Sequence, residues 1–173
     1  ARLAFFSPLA GERLPDCDAL WLPGGYPELH LDALAANAAL RGDIAGHVAA
    51  GRPVWAECGG MLALCERLTD TAGRTTDLWG LLPGHACMQP RLAGLGMLQL
   101  PTLWGLLRGH TFHYSRLETS MTEAGRSSRP GQDAHPDRGE ALYRHGSVHA
   151  SYFHAWFASQ PRAVAALLGA DIH

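Results

Sequence analysis

The chain has 173 residues, 47% hydrophobic and 17% charged, with a formal net charge of −2. That length and apolar content suit one domain with its own core and exclude a disordered or fibrous chain. The 14 basic residues are scattered and all are arginine, which leaves no stripe suited to a nucleic-acid backbone and excludes both a Schiff-base lysine and a lysine-bearing phosphate loop.

Arg2 to Pro8 and Asp18 to Leu22 read as strands, the second running through Leu22-Pro23 into a Gly24-Gly25 loop. Glu28 to Ala50, rich in Ala and Leu, reads as a helix broken near Gly42; Pro53 to Glu57 is a strand and Gly60 to Leu68 a helix. This alternation predicts an α/β fold with a mostly parallel sheet flanked by helices. From Trp79 to Thr119 short apolar runs punctuated by Gly and Pro predict antiparallel strands added to that sheet. Met121 to Gly139 reads as a mobile polar surface loop, Gly146 to Trp156 as a strand or strand end that delivers His154, and Pro161 to Ala170 as a short capping helix with proline in its first turn. There are no internal repeats. No apolar run approaches the ~18–20 residues of a membrane span and no signal-peptide pattern opens the chain, so the expected compartment is the cytoplasm. The start inside a strand-like run, without methionine, reads as the C-terminal part of a longer protein.

Chemistry concentrates at Val54-Trp55-Ala56-Glu57-Cys58-Gly59-Gly60-Met61, where a short apolar strand ends at a cysteine between small residues and a helix follows. A sharp strand-to-helix turn lifts a nucleophile clear of the sheet, and glycines after it bring N–H groups toward a developing oxyanion. A helix N-terminus would also pull the thiol pKa below its usual ~8.5. The plain alternative is a buried structural cysteine. Loops like Gly24-Gly25 let backbone amides approach a ligand that a Cβ would block, the alternative being an ordinary strand-end turn. His154 is the candidate base for Cys58.

The other cysteines, Cys17, Cys65 and Cys87, form no Cys-x-x-Cys pair and read as reduced thiols, with Cys65 on the helix after Cys58 facing the core. The ten histidines do not make a metal set, because His110 and His113 fall on opposite faces of a strand and His145, His149 and His154 are irregularly spaced. In Arg108 to Ser115 the structural alternative is a strand whose core-filling face carries Phe112 and Tyr114.

In order along the chain, Leu22 to Glu28, Glu57 to Gly60, Arg108-Gly109-His110-Thr111-Phe112-His113-Tyr114-Ser115 and Ala150 to His154 resemble the class I glutamine amidotransferase domain of the cobyrinic acid a,c-diamide synthase family, in the cobyrinate and cobyric acid synthase group. The resemblance spans nearly the whole chain and implies a flavodoxin-like class I glutamine amidotransferase fold. It implies that Cys58 attacks the side-chain amide of glutamine and His154 relays protons, with Gly25 and Gly59 as oxyanion donors in loops that include Gly24 and Gly60. Glu28 would hold the α-amino end of glutamine or favour a helix N-terminus, and His113, Tyr114 and Ser115 would line the site. Ammonia would pass to a synthetase domain, where ATP and magnesium activate the a- and c-carboxylates of a corrinoid; no cofactor, no resident metal, no nucleic acid and no membrane are expected here, while a homodimer is open. Rival readings are a cobyric acid synthase-type or other tetrapyrrole amidase module, a cysteine hydrolase of the same architecture, and a silent binding domain, against which retention of Cys58 and His154 argues. Two departures stand out. Trp156 occupies the position where class I enzymes usually orient the histidine with glutamate, leaving Glu118 and Glu140 as candidates without geometry, and Thr111 stands where the family usually has glutamate.

Overall fold

The computed structural model describes residues 1–131 and 139–170. Its strands are β1 (Leu20–Leu22), β2 (Val54–Glu57), β3 (Cys65–Thr69), β4 (Thr75–Asp77), β5 (Leu82–Met88), β6 (Gly94–Thr102), β7 (Gly105–His113), β8 (Ser115–Glu118), β9 (Thr122–Arg126), β10 (Ala141–His145), β11 (Val148–Ser151) and β12 (His154–Ala155). The helices are α1 (Leu31–Ala36), α2 (Ala38–Ala49), α3 (Gly59–Leu64) and α4 (Pro161–Leu167). None of the described helices is long and apolar enough to cross a membrane.

The central sheet has the order β1-β2-β11-β10-β9, with β1, β2 and β11 parallel and β10 and β9 added antiparallel. β2 lies inside it, and both its faces are covered. Alternation sends Val54 and Ala56 into the larger core with Leu20, Leu40, Ile44 and Met61, and Trp55 into a second core with Leu98, Leu107 and Phe153. That two-sided burial accounts for the unbroken apolar run before Glu57. None of the four strands between 79 and 119 joins this sheet. β5 and β8 belong to the order β4-β3-β5-β8, and the long β6–β7 hairpin with β12 makes a third sheet.

Other local expectations also shift. Residues 2–7 are not a strand: Leu3 and Phe5 are exposed, and no described strand pairs with the segment. The helical run breaks at Asn37 rather than Gly42, because the Asn37 side chain accepts from Leu40 N–H (3.1 Å) and donates to the Pro8 carbonyl (3.0 Å). The helix after Cys58 ends at Leu64, and Cys65, fully buried, opens β3 instead of continuing it. Within the expected loop of 121–139, residues 122–126 form β9 against β10, while 132–138 lie outside the described residues.

Candidate active site

Cys58 sits where β2 turns into α3, with φ +43 and ψ −109, the single non-glycine residue of positive φ among those described. Such backbone costs about 1–3 kcal/mol and persists only where the surroundings hold it. Here they do. The Cys58 N–H donates to the Ser151 carbonyl (2.8 Å), continuing the β2–β11 ladder, and α3 leaves at once through the Leu62 N–H to the Cys58 carbonyl (2.9 Å). The turn is pressed against the Pro23–Gly25 loop: a Cβ on Gly59 would lie 2.5 Å from the Gly25 carbonyl oxygen, and one on Gly60 would overlap the Leu22 carbonyl.

The helix N-terminus does not lower the thiol pKa. Burial pushes Cys58 up to about 12, outweighing the Gly59 N–H that favours the thiolate, and Glu28, Glu140 and Glu57 add in the same upward direction. The resting group is a thiol, and a thiol becomes a nucleophile only with a base beside it.

His154 lines the same cleft as Cys58. β12 hangs it on β7, paired opposite His110, whose ring stacks on it with centroids 4.8 Å apart and planes 12° apart. Gly24 closes the other side, since a Cβ there would overlap the imidazole. The ring is therefore held by a neighbouring ring and a bare backbone. Burial, then His110 and His113, lower its pKa to about 4 against a smaller opposing influence of Glu140, so it is a neutral proton acceptor at physiological pH. Among the described residues the carboxylate nearest to it is Glu57: Oε2 lies 3.9 Å from His154 Nδ1.

Cys58 separates two spaces. One is an open cleft of about 780 Å³ lined by Trp21, the Pro23–Tyr26 loop, His110, Phe112, His154 and Trp156. The other is a hollow of about 40 Å³ lined by Gly25, Glu28, Leu62, His113, Tyr114 and Ser115. Gly24 thus lines the cleft, Gly25 lines both spaces, and Glu28, whose pKa burial raises, lines the hollow. His113 stacks on Tyr152 (3.7 Å, 10°), Tyr152 OH shares a hydrogen bond with Ser115 Oγ (2.8 Å), and Glu140 Oε1 meets both His113 Nε2 (3.1 Å) and Thr111 Oγ1–H (2.8 Å). Phe112 and Tyr114 are exposed in an edge contact (5.7 Å); the buried alternates of this segment are Thr111, His113 and Ser115, the reverse of the expected core face. His110 and His113 do take opposite faces.

Of the carboxylates considered for the third role, Glu118 is exposed on β8 and Glu140 is committed to His113 and Thr111. Trp156 lies at the cleft, 40% exposed, its ring 6.2 Å from that of His110. Glu57 and His110 were the site neighbours that sequence reasoning passed over. Glu57 had one readable sign, an acid closing an otherwise apolar strand, two residues after Trp55.

A family model described as "CobB/CobQ-like glutamine amidotransferase domain" matches residues 1–162. The chain is 49% identical over 168 residues to a hydrogenobyrinate a,c-diamide synthase of Stutzerimonas stutzeri, covering 97% of this chain and 38% of that protein. It is 42% identical over 173 residues to a cobyrinate a,c-diamide synthase of Herminiimonas arsenicoxydans, covering 99% of this chain and 39% of that protein. Among solved structures, one described as a glutamine amidotransferase superposes with TM-score 0.60 at 21% identity over 87% of this chain and 77% of that one. PurLQS from Thermotoga maritima does so with TM-score 0.52 at 19% identity over 92% and 76%. The chain thus shares the fold of these structures and spans under two-fifths of the length of the relatives named here.

Proposed function

The chain belongs to the family of CobB/CobQ-like glutamine amidotransferase domains, and from that premise we propose that it hydrolyses glutamine at Cys58 to supply ammonia for amidating the a- and c-carboxylates of cobyrinic or hydrogenobyrinic acid. The observation that carries the reading is the strained turn at Cys58, packed on a glycine loop and sharing its cleft with the neutral, half-buried His154.

In this mechanism His154 takes the thiol proton as Cys58 Sγ bonds to the amide carbon of glutamine. The Gly25 and Gly59 N–H groups receive the negative charge that builds on the amide oxygen; one such donor is typically worth ~10²–10³ in rate. The proton passes to the amide nitrogen, the C–N bond breaks and ammonia leaves behind a thioester. Water, deprotonated by His154, then attacks that carbonyl, and glutamate departs as the thiol is restored. We assign Glu28 to the α-ammonium of glutamine. His113, Tyr114 and Ser115, around the hollow beside Cys58, are the lining that would enclose it. The amidation itself, with ATP and magnesium, is assigned to a synthetase part outside these residues, and the cytoplasm is the compartment we propose. The lower coverage of the relatives and their names, which divide between cobyrinate and hydrogenobyrinate, support a larger enzyme without choosing the corrinoid.

The test is mass spectrometry after incubation with 6-diazo-5-oxo-L-norleucine, a glutamine-shaped alkylator, with glutamine as competitor. Single labelling of Cys58, suppressed by glutamine, and release of glutamate and ammonia are expected. Absence of both, in the full-length polypeptide whose Cys58 still reacts with iodoacetamide, would overturn the reading in favour of another cysteine hydrolase.

A further inference from the structure

We propose that Glu57, the residue before the nucleophile, is the positioning carboxylate for His154. The inference rests on the proposed glutaminase reading and deepens it.

A histidine that accepts a proton at one ring nitrogen must carry its own proton on the other, and something has to hold that tautomer. His154 Nδ1 faces Glu57 Oε2 at 3.9 Å, and among the described residues no other carboxylate lies within 4.0 Å of its ring nitrogens. The separation exceeds a hydrogen bond. It is the slack seen in unliganded sites, where such contacts close only around substrate.

Glu57 is built to serve there. Its side chain is 4% exposed, and the Trp55 indole N–H (2.6 Å) and the Ala155 backbone N–H (3.0 Å) both donate to its other oxygen, Oε1. The Trp21 indole also bears on the carboxylate. Oε1 therefore ties β2 to the residue next to His154, while Oε2 is turned to the imidazole. One carboxylate thereby sets the backbone that presents the ring and the proton that the ring carries. Oε2 is the oxygen that faces Nδ1, at 3.9 Å. With Nδ1–H directed at Glu57, Nε2 is left as the acceptor for the Cys58 proton.

Glu57→Gln separates the two duties. Its amide oxygen can still accept from Trp55 and Ala155, whereas its NH₂ replaces Oε2 and, as a donor, favours the imidazole tautomer with Nδ1 bare and Nε2 protonated. In the full-length polypeptide the expected result is a fall in kcat for glutamine hydrolysis on the order of 10²- to 10⁴-fold, as for a misassigned tautomer. KM and the thermal midpoint should stay near the parent values, and Glu57→Asp should recover part of the rate. Activity of Glu57→Gln within threefold of the parent would overturn the proposal. Should Glu57→Gln not fold, ¹⁵N NMR of the parent His154 decides: protonated Nδ1 with bare Nε2 supports the assignment, and the opposite tautomer ends it. A parent protein that neither hydrolyses glutamine nor takes the diazo label would instead refute the glutaminase reading itself.

Discussion

Among the described residues there are two histidine–glutamate pairs, and they are built differently. His113 and Glu140 meet at 3.1 Å, both largely buried, with Nδ1 also spent on the Ser115 carbonyl (2.9 Å) and Thr111 sharing the carboxylate. His154 and Glu57 stand 3.9 Å apart, and the histidine has a cleft on one side. Both ring nitrogens of His113 are bonded within the fold, so the first pair acts as a strut. The second pair keeps an imidazole nitrogen uncommitted, which is what a base needs and a strut does not.

The contrast is broken most heavily by Glu140→Ala. Removing one member of a buried pair strands His113 and Thr111, and the expected loss is on the order of 3 kcal/mol, roughly 10 °C in thermal midpoint for a chain of this size. Glutamine hydrolysis per folded molecule should change far less, and calorimetry beside a steady-state assay would separate the two. A stable Glu140→Ala protein would mean that the strut is not one.

Gly24→Ala presses on the looser pair from the glycine loop. The methyl would overlap the His154 ring, and displacement of a reacting group by about 1 Å typically costs ~10² in rate. kcat/KM should fall by that order with the thermal midpoint little changed. Retention of full rate would show that the ring is not held against this loop.

His110→Leu is the finest test. In the parent, burial first and His110 next lower the His154 pKa to about 4, so the acid limb of kcat/KM should lie near pH 4 rather than near the ordinary imidazole value of about 6.5. Replacing His110 with a neutral apolar side chain removes one lowering influence, and the limb should move to higher pH. The folded pKa lies below the unfolded one, so between those values only the unfolded chain takes up this proton. His154 therefore favours folding above about pH 6.5, and that stability fades as pH falls toward 4. A parent limb at the ordinary imidazole value would remove the premise.

The parts of this site that a reader could see in the sequence are those with local physical marks. An apolar run ending in Glu-Cys-Gly-Gly, a second one ending in Pro-Gly-Gly, and a lone histidine after β11 each announce themselves because tight turns and buried strands restrict residue choice at the spot. Asn37 was passed over because Gly42 looks weaker as a helix former, yet a cap with two hydrogen bonds ends a helix more effectively than a glycine interrupts one. Cys65 to Leu68 looked like more helix because four residues cannot separate the two periodicities; their pairing with β4 and β5 decides it. The run Arg2 to Pro8 looked like a strand, but a strand exists only with a partner. Glu57 was missed for a different reason. The position two after the histidine, Glu118 and Glu140 were weighed for the carboxylate, whereas Glu57 belongs to the strand that leads into Cys58 and comes within 3.9 Å of His154 only through the fold.

The backbone at Cys58 has a consequence for how this lineage can lose its activity. At φ +43 any side chain is penalised and glycine is not. A copy released from selection for glutamine hydrolysis should therefore drift first to glycine at 58, because there decay and stabilisation run in the same direction. A relative with glycine in that place would be recognisable from one letter as a retired enzyme kept for its shape.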